Sequence, residues 1–376
     1  MLTLEGLTPA PAQVRGAFRL VPLLRDQPCD DVRLTPHTMA PGLKVVALPD
    51  RTSYTAFVPH ALLLEWDRTG APLMALGGQV GRPGRSDWCG IEMVQKMRKR
   101  EGAGGLRFLP LHLALEGLLA LHFAPPRTAW KELSRDFLKV GLGSRSESGI
   151  PGAVLPGFED ALKTFELHDT QVGLLVFVGE QLASAFVVPS AQDYRRLHRS
   201  VLEDLYGELV LLYAALYPDP PLLQATPRFE HARSLAELRA GLMVLRQEWA
   251  AFVQVDLLTD LLNRPVLTEM VYEPGPLRLE RFITDLDPAQ LNHIGERLIR
   301  PNGELLYLKT FQLSAAQTRR TYLLQQLARY EWHLGDAAVG LGVSVPELVD
   351  RITRTGFGYL LTQAVRETAA KAIRGT

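Results

Sequence analysis

The chain has 376 residues, 47% of them hydrophobic and 22% charged, which excludes a disordered polymer and leaves room for a sizeable core in two or three domains. Its 41 Lys and Arg match 41 Asp and Glu, which excludes nucleic-acid binding by bulk positive charge and confines any such contact to a local patch. Cys29 and Cys89 form no CxxC and have no His at zinc-ligand spacing, so reduced thiols, no metal and no cofactor are expected. The start lacks a signal-peptide pattern, and "ELVLLYAALY" (208–217) is too short to span a bilayer. A soluble cytoplasmic protein with no membrane partner is therefore expected.

The first 125 residues read as β-rich. "AFRLVPLL" (17–24), "LKVVALP" (43–49), "ALLLEWD" (61–67), "PLMALGG" (72–78), "LRFLPL" (106–111) and "LLALHFA" (118–124) are short apolar runs bounded by Pro, Gly and Asp. A Gly- and Arg-rich loop, "GGQVGRPGRSDWCG", and a basic run, "QKMRKREGAGG", follow the fourth of these runs. Trp130, Leu133, Phe137 and Val140 predict a helix over 127–141, and the Gly- and Ser-rich stretch 141–157 is the best internal break.

"QVGLLVFVGEQLASAFVVPS" (171–190) predicts a hairpin turned at "GEQ". It feeds a helix over 191–216, with Ser190 as N-cap and "YPDPP" as its stop. A further helix is predicted over 234–263, from Leu, Met and Trp at helical spacing, ending at Asn263 and Pro265. "LRLERFI" (277–283) and a second hairpin over 296–313, turned at Asn302-Gly303, complete the body. From Ser314 the pattern is helical. The expected fold is α+β: a β-rich N-terminal part (1–140), an α+β second part (158–313) and an all-α tail (314–376).

Three stretches carry a family resemblance. "RGAFRLVPLL", "HDTQVGLLVFVGEQLASAFVVPSAQDYRRLHRSVLEDLYGEL" and "RLIRPNGELLYLKTF" resemble the opening strand, central block and closing strand pair of the bacterial ARG and rhodanese-phosphatase-superfamily-associated protein domain family. Tyr307-Leu308 replace a histidine-leucine pair in the last of these. The resemblance covers roughly residues 10–312. It implies a setting of NAD or ADP-ribose metabolism, and it brings no catalytic motif.

The tail contains "LGDAAVGLGVSVPELVDRITRTGFG" (334–358). Ala337-Ala338 suit a close helix crossing, Leu341-Gly342-Val343 a chain reversal, and Ser344 an N-cap, with Pro346 and Glu347 in the first helical turn. This spacing resembles the helix-turn-helix of the Fis family, whose members usually act as homodimers on duplex DNA. Carried onto this chain, the DNA face comprises Ser344, Val345, Arg351 and Arg354, with Arg319 and Arg320 from the preceding helix. Residues 314–376 hold eight Arg or Lys against five acids, a mild positive excess. Val345, Glu347, Val349 and Asp350 stand at the recognition positions, and the two acids oppose phosphate contact. Docking on a protein therefore stays open beside DNA binding.

Other polar residues offer weaker signals. Glu65 and Asp67 alternate on one strand face and suit acid–base or cation chemistry. Arg82 and Arg85 in the glycine-rich loop suit an anion or nucleotide phosphate, without a Walker A or GxGxxG pattern. His112 and His122 in apolar runs, and the basic run from Lys96 to Arg100, read first as core and solvated residues. Arg195 and Arg199 share a face near a helix start, where positive charge costs stability unless an acid such as Glu203 offsets it. The leading expectation is a non-catalytic, DNA-binding transcription regulator. In it a sensor body is coupled to the helix-turn-helix of a homodimer. The second expectation is an enzyme or nucleotide-binding protein for an NAD or ADP-ribose type ligand, with the tail as a protein-docking or dimerisation module.

Overall fold

The computed structural model describes residues 2–34, 46–47, 53–54, 62–66, 72–75, 115, 118–119, 122–123, 165–207, 209, 217, 231–273 and 275–374. Among them, nine strands form one antiparallel sheet. They are β1 (Thr8–Pro9), β2 (Gln13–Arg15), β3 (Phe18–Leu24), β9 (Gln171–Val178), β10 (Gln181–Val187), β11 (Val266–Tyr272), β12 (Arg278–Thr284), β13 (Asn292–Ile299) and β14 (Leu305–Leu313). The order is β1-β3-β9-β10-β14-β13-β12-β11, with β2 on β3. The short strands β4 (Val32–Leu34), β5 (Val46–Ala47), β6 (Ser53–Tyr54), β7 (Leu62–Trp66) and β8 (Pro72–Ala75) form two smaller sheets.

Both hairpins form as the turn chemistry predicts, and Gly303 adopts φ +90°, a conformation strained for any residue with a Cβ. Every residue of β9 is buried, which is why its sequence is an unbroken apolar run and not an alternation. One face of the sheet packs Leu20, Val176, Phe186 and Ile283 against Tyr194 and Leu197 of α1 (Ala191–Ser200). The other packs Val21, Phe177 and Leu308 against Leu2, Val253 and Leu261. Ser190 caps α1 by accepting from the Asp193 amide, and the helix widens into a π-type turn over Val201–Tyr206.

The stretch 234–263 forms α2 (Leu235–Phe252), a π-type turn (Val253–Leu257) and α3 (Thr259–Leu262). The strand expected over 118–124 is corrected: residues 115, 118, 119 and 122 are helical, and the Phe123 amide donates to the Leu119 carbonyl at 3.2 Å. Leu115, Leu118, Leu119 and His122 lie at i, i+3, i+4 and i+7, a period that a short apolar run conceals. Strand β11 was not expected. The predicted helix over 127–141, the glycine-rich loop, the basic run and the strand over 106–111 lie outside the described residues.

The chain leaves β14 through Ser314 into α4 (Ala315–Arg329), then α5 (Leu334–Gly340), α6 (Val345–Ile352) and α7 (Gln363–Arg374). Leu323, Leu327, Ala337, Leu348, Ile352 and Phe357 form their core, which is continuous with the α1 side of the sheet. The fold is α+β, an antiparallel sheet body followed by a helical C-terminal region.

Candidate functional site

The C-terminal helices owe their arrangement to local chemistry. Ala337 and Ala338 are buried where α5 meets α6, and Gly342 turns the chain at φ +66°. Gly340 lets α5 approach the end of α4: a Cβ there would lie 2.0 Å from the Tyr330 hydroxyl. Ser344 closes a capping box on α6. Its hydroxyl accepts from the Glu347 amide at 3.3 Å and donates to the carboxylate at 2.8 Å, while the Ser344 amide donates to that carboxylate at 2.8 Å. The hydrogen bond from the Ser344 backbone holds the Glu347 carboxyl below its ordinary range.

The residues expected to form a DNA face fall into two groups. Arg319, Arg351 and Val345 are exposed. Ser344 is engaged in the cap, and Arg354 pairs with Asp350 at 2.9 Å. The Arg320 guanidinium lies 4.7 Å from the centre of the Phe357 ring and donates to the Thr355 carbonyl at 3.0 Å, so it ties α4 to the end of α6. Val349, expected on the recognition face, is 2% exposed and belongs to the core. Its apolar neighbours Leu348 and Ile352 share that core and turn it inward.

A cavity of about 1060 Å³ opens at the end of the sheet beside the start of α4. Arg19, Glu180, Asp256, Asp260, Gln290 and Thr318 are among its polar lining, with Leu257, Phe252 and Leu313 among its apolar lining. Arg19 is 2% exposed, its guanidinium carbon 5.5 Å from the centre of the Phe252 ring. Burial lowers its pKa and the charge of Glu180 opposes that shift. One wall, the loop 285–291, is pinned by Asn292. The Asn292 side-chain amide donates to the carbonyls of Asp287 (2.7 Å) and Gln290 (2.9 Å) and to the Thr318 hydroxyl (3.5 Å), while its oxygen accepts from the Asp287 amide (3.0 Å). Arg264 donates to the carbonyls of Leu291 and Asp285. The wall is therefore pre-formed, and through Thr318 it is joined to the first turns of α4.

A second polar group lies inside the sheet. Arg281, Glu296 and Lys309 stand opposite one another on β12, β13 and β14, all buried. Arg281 Nε lies 3.6 Å from the Glu296 carboxylate, and burial pushes the Lys309 pKa far down. None of the three lines the cavity. They form a buried cross-strand row of ionisable groups, with Arg281 and Glu296 as its ion pair. Cys29 is buried beside Asp31 and Arg300, and burial pushes its thiol pKa up, the opposite of an activated nucleophile.

The remaining expected residues are dispersed. Glu65 sits on β7 opposite Arg33 and Pro72. Asp67, Arg82, Arg85 and His112 lie outside the described residues. His122 is half-buried, and desolvation lowers its pKa to about 4. Arg195 finds Asp169 at 3.5 Å and Arg196 finds Asp193 at 3.8 Å, which relieves the positive start of α1. Sequence reading missed the cavity. Its signals were Arg19, a charge in an otherwise apolar strand, and Asn292 directly after the "DLDPAQL" turn.

Fold and site together define an α+β protein with a cavity of mixed polar and apolar lining at the sheet end and a helical C-terminal region. A family model described as ARPP-2 matches residues 2–275, and the chain belongs to that family. The family's name agrees with the resemblance drawn from the sequence, while β12, β13, β14 and the helices from α4 onward lie beyond the match. No curated protein and no solved structure matches the chain.

Proposed function

We propose that the chain is a DNA-binding regulator in which α5 and α6 form a Fis-like helix-turn-helix and the body cavity takes a small polar ligand. The carrying observation is that the cavity and the helical region share α4. Its first turns line the cavity, and Arg320, further along it, clamps the end of α6. A ligand that shifts the loop 285–291 would act on Thr318 through Asn292, and so on the posture of α6. The acids of α6 do not weigh against phosphate as their sequence positions suggest. Glu347 is bent back onto its own helix start, and Asp350 is matched by Arg354. Arg319 and Arg351 remain exposed for phosphate contact. As in other helix-turn-helix proteins, two copies would engage two half-sites.

The reading as a nucleotide-binding protein or enzyme of NAD or ADP-ribose chemistry would use the same cavity, with Arg19 and the start of α4 toward phosphate. Glu180, Asp256 and Asp260 in the same lining oppose a pyrophosphate, so a neutral or cationic polar ligand suits it better. The test is binding of the full chain to random-sequence and genomic duplex DNA by fluorescence anisotropy at low salt. Submicromolar binding that weakens steeply with salt is expected. No binding at low salt would make the helices a protein-docking unit.

A further inference from the structure

Helix α2 has no buried residue. Ser234 caps it, accepting from the Glu237 amide, and the Glu237 carboxylate turns back to accept from the Arg233 amide at 2.6 Å. Six of its apolar residues nevertheless fall on one stripe: Leu235, Leu238, Leu242, Leu245, Trp249 and Phe252 are spaced 3, 4, 3, 4 and 3 residues apart, with the exposed Met243 and Val244 beside the stripe. That is the a/d seam of a coiled coil, about 27 Å long at 1.5 Å per residue. Its C-terminal end meets the body, where Phe252 packs beside Val253 and Leu261 and under Arg19. The other end stands in solvent, with Leu235 71%, Leu238 37% and Leu242 40% exposed. Exposed leucines in register along one stripe are unfavourable unless a partner covers them.

The flanks of the seam identify the kind of partner. Arg239 and Arg246 each directly follow a leucine of the seam and lie seven residues apart, so they share one flank. Both are exposed, and neither forms an ion pair among the described residues. The other flank holds Ser234, Gly241 and Glu248. In an antiparallel pair with a second copy, the arginine flanks would face each other and repel. In a parallel pair, the arginines would face Ser234 and Gly241 and gain nothing.

We propose that the α2 seam docks an amphipathic helix of another protein, with aliphatic residues at its a and d positions and Asp or Glu on the flank that meets Arg239 and Arg246. The site is separate from α6, and the inference does not rest on the DNA-binding reading.

The test uses two fluorescent three-heptad peptides with the same leucine and isoleucine seam, one with glutamate flanks and one with lysine flanks. Each is titrated with the full chain, and the chain alone is sedimented at the same concentrations. The glutamate peptide is expected to bind about tenfold or more tighter than the lysine peptide at low salt. Arg239→Glu with Arg246→Glu should invert that preference. Leu242→Asp should abolish binding of both while leaving the thermal midpoint of the chain unchanged, since Leu242 is exposed. Equal binding of both peptides, binding of neither, or a homodimer that Leu242→Asp dissociates would overturn the proposal.

Discussion

The sheet and the helical C-terminal region treat charge in opposite ways. The sheet buries it: Arg281, Glu296 and Lys309 run across three strands, out of solvent. The helices keep the acids of α6 outside the core and use them locally, Glu347 in a cap and Asp350 on Arg354 one turn away. A buried ion must have its partner, so it fixes register and tolerates little change. A surface ion is screened and replaceable, so a helical surface can vary and still fold.

The largest expected effect breaks the sheet side of that contrast. Glu296→Gln removes the negative member of the buried row and should cost about 3–5 kcal/mol in urea unfolding. Asp350→Asn, on the helical side, should change stability by no more than roughly 0.5 kcal/mol. Near-equal effects of the two would erase the distinction.

Packing, not charge, is the vulnerable point of the helices. Gly340→Ala places a methyl 2.0 Å from the Tyr330 hydroxyl, and such overpacking should cost about 1–3 kcal/mol. Combination with Tyr330→Ala should be clearly less than additive, because the clash vanishes with the ring.

The contrast sharpens with pH. Burial lowers the pKa of His293 to about 3 and those of His122 and His198 to about 4, while the unfolded chain keeps ordinary values near about 6.5. Between those limits the unfolded state binds more protons. The stability that neutral histidines contribute is therefore complete above about pH 6.5 and falls as pH drops toward about 3–4. His293→Leu should flatten that acid branch of the urea midpoint against pH. An unchanged branch would mean that the imidazole is not buried in its neutral form. The α6 cap has a modest effect: Ser344→Ala should cost about 1 kcal/mol, seen as a lower thermal midpoint.

Much of this architecture was legible in the sequence. Hairpins with "GEQ" and "PNG" turns, the Ser190 and Ser344 caps and the Ala337-Ala338 crossing all form where local pattern puts them, because each depends on residues a few positions apart. What local pattern could not supply was proximity at long range. Strand β11 exists because β12 offers an edge. The cavity arises where the β9–β10 turn, the loop 285–291 and the start of α4 converge, and no segment carries that information alone. The exposure of the α2 seam is of the same kind: the heptad spacing is in the sequence, but whether the body covers it is not.

The most direct test of the regulatory reading is the salt dependence of duplex DNA affinity, measured on the full chain and on an Arg319→Ala, Arg351→Ala variant. A linear fall of log affinity with log salt is expected, with a variant slope shallower by about 2, one for each arginine withdrawn from a phosphate. Binding with an unchanged slope in the variant, or no binding at any salt, would contradict that reading.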